Sequence, residues 1–105
     1  LGNFARGILE TIYVQLKSEV TSEQVATAYD VLLKEPLIRL LGNKIPSIKG
    51  VAKQPYVDIG WQQQGSQLIV VAAIDNLLKG AAGQALQCIN LSMGLNHTTG
   101  LKGAF

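Results

Sequence analysis

The stretch IDNLLKGAAGQALQCINLSMGL, residues 74–95, constrains the fold of this chain more than any other segment. Its apolar spacing predicts a helix, but Gly80 and Gly83 stand among alanines near its start. Each glycine in a helix costs about 1 kcal/mol relative to alanine. A turn without side chains therefore predicts that a second helix or a flat ligand approaches closely, and residues 1–73 offer no obvious partner for that contact.

Apolar side chains surround most of this predicted helix. They are Leu77, Leu78, Ala81, Ala82, Ala85, Leu86, Ile89, Leu91 and Met93. A helix that is apolar on all sides is normally buried on more than one side, and one small sheet cannot cover it. Charged residues make up only 15% of the chain, against roughly 25% in a typical soluble domain. We therefore expect part of the surface to be covered by self-association into a homo-oligomer.

The remaining segments predict an α+β domain with the element order β-α-β-β-β-α. Runs rich in β-branched and apolar residues predict four strands, at residues 7–16, 37–41, 56–63 and 66–74. The last two flank a predicted hairpin turn at Gln64-Gly65, and the fourth is expected to be central. This order favours a mixed or antiparallel sheet with the helices packed on one face.

The first predicted helix covers residues 21–35. Thr21 or Ser22 is suited to cap its start, and Pro36 ends it. Its apolar face consists of Val25, Ala28, Tyr29, Leu32 and Leu33. Residues 42–56 are predicted to form a loop, and residues 96–105 a polar tail.

Length and charge narrow the function classes. A chain of 105 residues is one domain, and its net charge of +2 does not indicate a nucleic-acid or membrane surface. No apolar run approaches the roughly 18 residues of a membrane span. A single cysteine excludes an internal disulfide and fits a reducing compartment, so we expect a cytoplasmic protein. The start LGNFARG has no methionine and no signal-peptide pattern, which predicts a piece of a longer protein.

Asp75 and Asn76 stand where the fourth strand ends and the last helix begins. Both residue types cap helices well, and this is the simpler interpretation. The free N–H groups of a helix start also suit an anion such as a phosphate. Lys79 lies in the first turn, where the helix dipole disfavours a cation, and this raises the expectation that it meets an anionic partner.

No catalytic or metal site follows from the residues alone. Cys88 is expected to be a small core residue and His97 a solvated side chain, and together they are too few ligands for zinc. Trp61 and Tyr56 are expected to pack on the strands. The loop lysines are Lys44, Lys49 and Lys53, and we expect them to be solvated. The sequence contains neither GxGxxG nor GxxxxGK, so it does not encode a nucleotide site of its own.

The last helix resembles the C-terminal signature of the N-acetyl-gamma-glutamyl-phosphate reductase family. The matching residues are Asp75, Asn76, Leu77, Lys79, Gly80, Ala81, Ala82, Gly83, Gln84, Ala85, Gln87, Asn90, Leu91, Gly94 and Leu95. RGIL with TIYV (residues 6–9 and 11–14) and KQPYVDIG (residues 53–60) resemble two strands of the same family. The resemblance covers essentially the whole chain.

This resemblance implies a glyceraldehyde-phosphate-dehydrogenase-like C-terminal domain, here a fragment of the catalytic and dimerisation domain of a two-domain reductase. It implies an absent Rossmann domain that binds NADP and packs against the final helix. It also implies that a cysteine and a histidine upstream of these residues reduce an acyl phosphate to a semialdehyde. Cys88 and His97 match neither position, so the fragment alone is predicted to be inactive. By resemblance, Asn76, Lys79 and Gly80 line the nicotinamide–phosphate end of the cofactor cleft.

Two alternatives stay open at this point. One is a related reductase that acts on an aminoadipyl or aspartyl phosphate, because the motifs discriminate poorly among acyl phosphates. The other is a binding or assembly module that keeps the fold without the chemistry.

Overall fold

A computed structural model of the chain describes residues 2–101, in which four strands form one mixed sheet. The strands are β1 (Ile8–Gln15), β2 (Ile38–Gly42), β3 (Val57–Gln64) and β4 (Gln67–Ile74). Their order in the sheet is β1-β4-β3-β2. β4 is antiparallel to both of its neighbours, and β2 is parallel to β3. The predicted α+β class, the four strands and the central position of β4 are confirmed.

The hairpin between β3 and β4 sets the register of the sheet. Gln64 pairs with Gln67, so the turn consists of Gly65 and Ser66, one residue later than predicted. Gly65 has φ 59°, a left-handed conformation that glycine adopts without steric cost. From this turn the register runs without interruption to the pair Val57 and Ile74.

The first helix, α1 (Ser22–Tyr29), is shorter than predicted and continues as a 3-10 turn over Asp30–Leu32. Its start is a capping box, in which the Thr21 hydroxyl accepts from the Gln24 N–H and the Gln24 side chain accepts from the Thr21 N–H. The helix ends well before Pro36, so the predicted end at residue 35 is wrong. Leu33 consequently leaves the apolar face and is 67% exposed.

The core lies between α1 and one face of the sheet. Val25 of α1 packs with Leu68 and Val70 of β4. Beside them the rings of Tyr29 and Trp61 stack with their centroids 4.2 Å apart, an arrangement that contributes about 1 kcal/mol beyond the buried area. The prediction that Trp61 is a packing residue is confirmed.

Residues 42–56 are not entirely loop, because they contain a short helix, α2 (Ile48–Val51), capped by the Ser47 side chain. This segment lies against the opposite face of the sheet from α1. A Cβ at Gly60 of β3 would overlap the Lys44 carbonyl oxygen, so only glycine lets the segment cross there. Val51, the last residue of α2, is fully buried. The prediction that all helices pack on one face therefore holds for α1 and not for α2.

The last helix has two parts: a π-helical turn (Leu78–Ala82) and α3 (Gly83–Ser92). In the π turn, N–H groups donate to carbonyls five residues back, as from Gly83 to Leu78. A Cβ at Gly83 would lie 2.5 Å from the Leu78 carbonyl oxygen. The close approach at Gly83 is therefore made by the chain's own backbone, and a second helix or flat ligand at the exposed Gly80 stays a prediction.

The helix ends earlier than residue 95, in a Schellman motif. Gly94 has φ 72°, and the N–H groups of Gly94 and Leu95 donate to the carbonyls of Leu91 and Asn90. Residues 96–101 then turn back along α3. Asn90, which is 4% exposed, fixes this return through hydrogen bonds from Nδ2 to the carbonyls of His97 and Thr99.

α3 contacts mainly the π turn that precedes it and does not pack broadly on the sheet. Only Gly83 and Asn90 are buried in it. Large apolar side chains of the last helix and its end are exposed by about half or more, namely Leu77, Ile89, Leu91, Met93 and Leu95. Residues 2–101 thus leave most of this apolar segment uncovered.

Candidate functional site at the junction of β4 and the last helix

Asp75 is the centre of the junction and is fully buried. Its Oδ1 accepts from the N–H groups of Leu77 and Leu78, at 2.8 and 3.0 Å. These bonds cap the last helix, so the simpler interpretation of Asp75 from the sequence is confirmed. Its Oδ2 accepts from Arg6 Nη2 at 2.7 Å and from the Lys53 N–H at 2.6 Å. One carboxylate therefore joins the start of β1, the segment after α2 and the last helix.

The electrostatics at Asp75 favour the charged form. Burial alone raises the pKa of this carboxyl group. The hydrogen bonds from Arg6 and from the backbone of Lys53, Leu77 and Leu78 outweigh burial and lower the pKa from 3.8 to about 2. The ion pair with Arg6, whose side chain is 32% exposed, makes the junction a charged hydrogen-bonded network.

Asn76 is hydrogen-bonded to Gly7, the residue that precedes β1. Its Oδ1 accepts from the Gly7 N–H at 2.8 Å, a bond that joins residues far apart in the sequence. With the oxygen occupied, the Nδ2 group is the donor that the Asn76 amide retains for a further partner. Such a donor suits a carbonyl or phosphate oxygen.

Lys79 extends from the π turn to α3. Its Nζ donates to Gln87 Oε1 at 2.7 Å, and Gln87 Nε2 lies 3.0 Å from His97 Nδ1. All three side chains are half-buried. Burial lowers the pKa of the Lys79 ammonium, and the nearby Glu35 and Cys88 partly oppose this. Two N–H groups of the ammonium stay available for an anion.

The structure places the three predicted cofactor residues, Asn76, Lys79 and Gly80, around one turn of chain. Gly80 is exposed, so its backbone can be approached without a side chain intervening. The arrangement offers an amide donor, an ammonium group and bare backbone, a set that suits an anionic ligand. Their role in cofactor binding stays a prediction.

Two expectations about single residues are wrong. Cys88 is exposed because α3 does not pack on the sheet, so it is not a core residue. His97 is half-buried and hydrogen-bonded to Gln87 rather than solvated, because the tail folds back on α3. Neither finding gives them a catalytic role, and residues 2–101 contain no cluster of three or more potential metal ligands.

Sequence reasoning did not identify Arg6 or Gln87 as site residues. Arg6 reaches Asp75 across 69 positions, a separation at which no local pattern gives a signal. Gln87 stands eight positions from Lys79, and an extra residue in the π turn alters the helical spacing that would relate them. Both lie in motifs that carried the family resemblance, and that is the one signal that points to them.

A cleft of about 500 Å³ lies elsewhere. Its lining includes Trp61, Gln64 and Gln67, at the hairpin end of the sheet and thus opposite the Asp75 end. None of the predicted cofactor residues borders it. The charged and donor groups at the junction, rather than this cleft, form the candidate site. No helix in the described part of the chain is long and apolar enough to cross a membrane.

Comparison with solved structures shows which class of fold this is. Aspartate semialdehyde dehydrogenase II from Vibrio cholerae, in a crystal structure described as complexed with ASA, matches with a TM-score of 0.66. The match covers 85% of this chain and 27% of that protein at 24% identity. At that identity the likeness shows the fold alone, the fold of a semialdehyde dehydrogenase domain.

The sequence profile of the family described as "Semialdehyde dehydrogenase, dimerisation domain" matches residues 1–76. The chain therefore belongs to the semialdehyde dehydrogenase dimerisation-domain family.

Curated relatives agree with this assignment and extend it past residue 76. A protein of Aeromonas hydrophila is 60% identical over 102 residues, and one of Moritella abyssi is 58% identical over 102 residues. Both are named N-acetyl-gamma-glutamyl-phosphate reductase, which confirms the resemblance inferred from the motifs. Each alignment covers 96% of this chain, but the chain spans only 30% of the length of these relatives.

Proposed function

We propose that this chain is the C-terminal part of an NADP-dependent reductase that converts N-acetyl-glutamyl phosphate to N-acetyl-glutamate semialdehyde, a step of arginine biosynthesis. The observation that carries the proposal is the 60% identity over 96% of the chain, which runs through the sheet and on through the last helix.

The proposed domain organisation explains why apolar side chains of the last helix are exposed in this chain. A Rossmann domain from the rest of the protein covers the exposed side chains of Leu77, Ile89 and Leu91. Because each of these side chains is already partly buried, covering the rest contributes roughly 1 kcal/mol per side chain. The buried Nε of Arg6 has no hydrogen-bond partner among the described residues, and this is also consistent with further protein at the junction.

The nicotinamide cofactor fits the donors at the junction. The Asn76 Nδ2 group suits a carboxamide oxygen, the Lys79 ammonium suits a phosphate, and Gly80 lets the ligand approach the backbone. When bound, the cofactor supplies the hydride for reduction. This chain's residues bind and orient it, and the nucleophile and the base come from residues outside this chain. The chain alone is therefore inactive.

A homo-oligomer is part of the proposal, because the family is described as a dimerisation domain. The surface we assign to it is the face of β1 and β4 that carries Tyr13, which is 74% exposed, and Leu9, which is 46% exposed. Tyr13 lies directly opposite Ile69 of β4, so the two side chains form an apolar pair across the two strands. We place the protein in the cytoplasm, where its small phosphorylated substrate and cofactor are found.

The test uses the full-length protein that carries these residues. We expect it to oxidise NADPH when given N-acetyl-glutamyl phosphate, and the isolated 105-residue chain to give no turnover. A full-length protein that reduces aspartyl or aminoadipyl phosphate at a higher kcat/KM would overturn the substrate assignment. Failure with every acyl phosphate would instead support the non-catalytic assembly module.

A further inference from the structure

We propose that Gln87 is a positioning residue for the Lys79 ammonium, and that a neutral His97 sets the orientation of the Gln87 amide. The inference rests on the function proposed above, in which Lys79 faces the phosphate end of the cofactor. It assigns roles to two residues that are outside the predicted cofactor site.

The directions of the hydrogen bonds follow from the chemistry of the three groups. An ammonium can only donate, so the 2.7 Å contact from Lys79 Nζ requires the oxygen of the Gln87 amide. The amide then turns its NH₂ group toward His97 Nδ1, 3.0 Å away. A donor there requires an acceptor, so Nδ1 is unprotonated and the neutral imidazole carries its proton on Nε2.

The π turn brings Lys79 and Gln87 into line. In a regular α-helix, eight residues leave two side chains about 80° apart around the axis. The π turn over Leu78–Ala82 winds through a smaller angle per residue, because its hydrogen bonds span five residues instead of four. The turn that requires Gly83 therefore also aligns the Lys79 ammonium with the Gln87 amide.

His97 is held in place independently of this contact. Asn90 is 4% exposed, and its Nδ2 donates to the His97 carbonyl oxygen at 3.1 Å and to Thr99 O at 2.9 Å. The backbone that carries the imidazole is thus fixed by the folded tail, independently of Gln87. An amide held at both ends fixes the ammonium more firmly than one free to rotate.

Protonation of His97 reverses the arrangement. A proton on Nδ1 would face the Gln87 NH₂ group, so the amide must rotate and turn its NH₂ group toward the Lys79 ammonium. Two donors then face each other, and the ammonium loses its acceptor. The other charged or titratable groups acting on Lys79 are Glu35, which follows the 3-10 turn, and Cys88 of α3.

The experiment measures the NADPH dissociation constant of the full-length protein. Lys79→Met is expected to raise it about tenfold or more and Gln87→Met about three- to tenfold, as for loss of a hydrogen bond to a charged group. The double variant should bind no more weakly than Lys79→Met, because Gln87 acts through Lys79. Gln84→Met, at an exposed position of the same helix, is the matched control and should bind as the unaltered protein does.

Two His97 variants test the imidazole. His97→Asn places an amide oxygen close to the position of Nδ1 and so keeps an acceptor for the Gln87 NH₂ group. It should retain the affinity of the unaltered protein. His97→Phe removes the acceptor and should raise the dissociation constant as Gln87→Met does.

The outcomes separate this inference from the proposed function. If Lys79→Met leaves the dissociation constant unchanged, the proposed role of Lys79 in the cofactor site is overturned. If Lys79→Met weakens binding but Gln87→Met does not, the positioning role is overturned and the site stands.

Acylation of Lys79 by acetic anhydride, measured by peptide mass spectrometry, needs no cofactor. Gln87→Met should increase it about twofold or more, by the loss of a stabilising acceptor, and equal acylation in Gln87→Met and Gln84→Met would overturn the inference.

Discussion

Arg6 Nη2 lies 2.7 Å from Oδ2 of Asp75 and joins the beginning of β1 to the end of β4 across 69 positions of sequence. These ends are also neighbours in the sheet, since Ile8 pairs with Ile74. The ion pair therefore links the ends of β1 and β4 at the point where the last helix begins. The direction of that helix depends on the same carboxylate, because its other oxygen caps the π turn.

Asp75→Asn is expected to destabilise the chain at neutral pH and to flatten its acid dependence. Folding lowers the pKa of Asp75 from 3.8 to about 2. A carboxyl group with a depressed pKa contributes stability above its unfolded pKa, and this contribution, about 2.5 kcal/mol, is lost as the pH falls from about 4 toward 2. Urea unfolding at stepped pH, followed by Trp61 fluorescence, measures both effects.

Arg6→Met is the companion to that experiment. It removes the side-chain donor and keeps the three backbone donors, so the acid transition should move to higher pH without disappearing. Equal stability of the unaltered chain and Asp75→Asn at pH 7 would contradict the central role of the carboxylate.

Gly83→Ala and Gly80→Ala are expected to have different effects on stability. Helix propensity alone favours both changes by up to about 1 kcal/mol. At Gly83, however, the added Cβ would lie 2.5 Å from the Leu78 carbonyl oxygen and 2.7 Å from its carbon. The π turn must then distort, at a cost of about 1–3 kcal/mol.

At Gly80 the nearest atom to an added Cβ is the end of the Ile74 side chain at 3.3 Å. That side chain can move, so Gly80→Ala should change the free energy of unfolding by less than about 1 kcal/mol. Urea denaturation of the two variants measures the difference. A stabilised Gly83→Ala would show that the π turn readily becomes an ordinary α-helical turn.

The sequence predicted the sheet better than the last helix, and the reason is physical. Strand patterns such as residues 66–74 are recognised by a local run of β-branched and apolar residues, and the matching strand β4 (Gln67–Ile74) differs by one residue. The π turn depends on a contact between Gly83 and Leu78 that no periodicity contains. Gly83 signalled a close approach correctly, but its position in the sequence did not reveal that the approaching atoms are those of Leu78 in the same helix.

The candidate site was predictable in its local parts only. Asp75 was recognised as a cap because capping involves residues two and three positions away. Its bonds to Arg6 and Lys53 depend on the packing of the sheet edge and of the segment after α2. The exposure of Cys88 likewise depends on where α3 projects, which composition does not determine.

Arg39→Lys is expected to loosen the segment that carries α2. Arg39 donates to both oxygens of Asp58, at 2.5 and 3.0 Å, and to the Gly50 carbonyl at 2.9 Å. Its guanidinium lies 4.3 Å from the centre of the Tyr56 ring. Lysine cannot reproduce the paired hydrogen bonds of the guanidinium group to the carboxylate, and Asp58 is only 5% exposed. The free energy of unfolding should therefore fall by about 1–3 kcal/mol.

Hydrogen exchange of residues 48–54 provides the local measurement for Arg39→Lys. Faster exchange is expected there because Arg39 holds the Gly50 carbonyl. Lys17→Met, at an exposed position, serves as the control and should leave the rates unchanged. Unaltered exchange in Arg39→Lys would mean that packing of the buried Val51 holds the segment without the arginine.

Tyr13→Glu and Leu91→Glu distinguish the two exposed apolar surfaces of the chain. Tyr13 is 74% exposed on β1, and Leu91 is 64% exposed on α3. If the face of β1 and β4 joins two subunits, a carboxylate at position 13 must be desolvated in the interface, and association should weaken at least about tenfold.

Leu91→Glu instead lies on the surface that we assign to the Rossmann domain. It should leave the oligomer intact and destabilise the contact between domains. Sedimentation velocity of the full-length protein measures association, and limited proteolysis measures the domain contact. Dissociation by Leu91→Glu with no effect of Tyr13→Glu would exchange the two assignments, because the helix would then be the subunit interface.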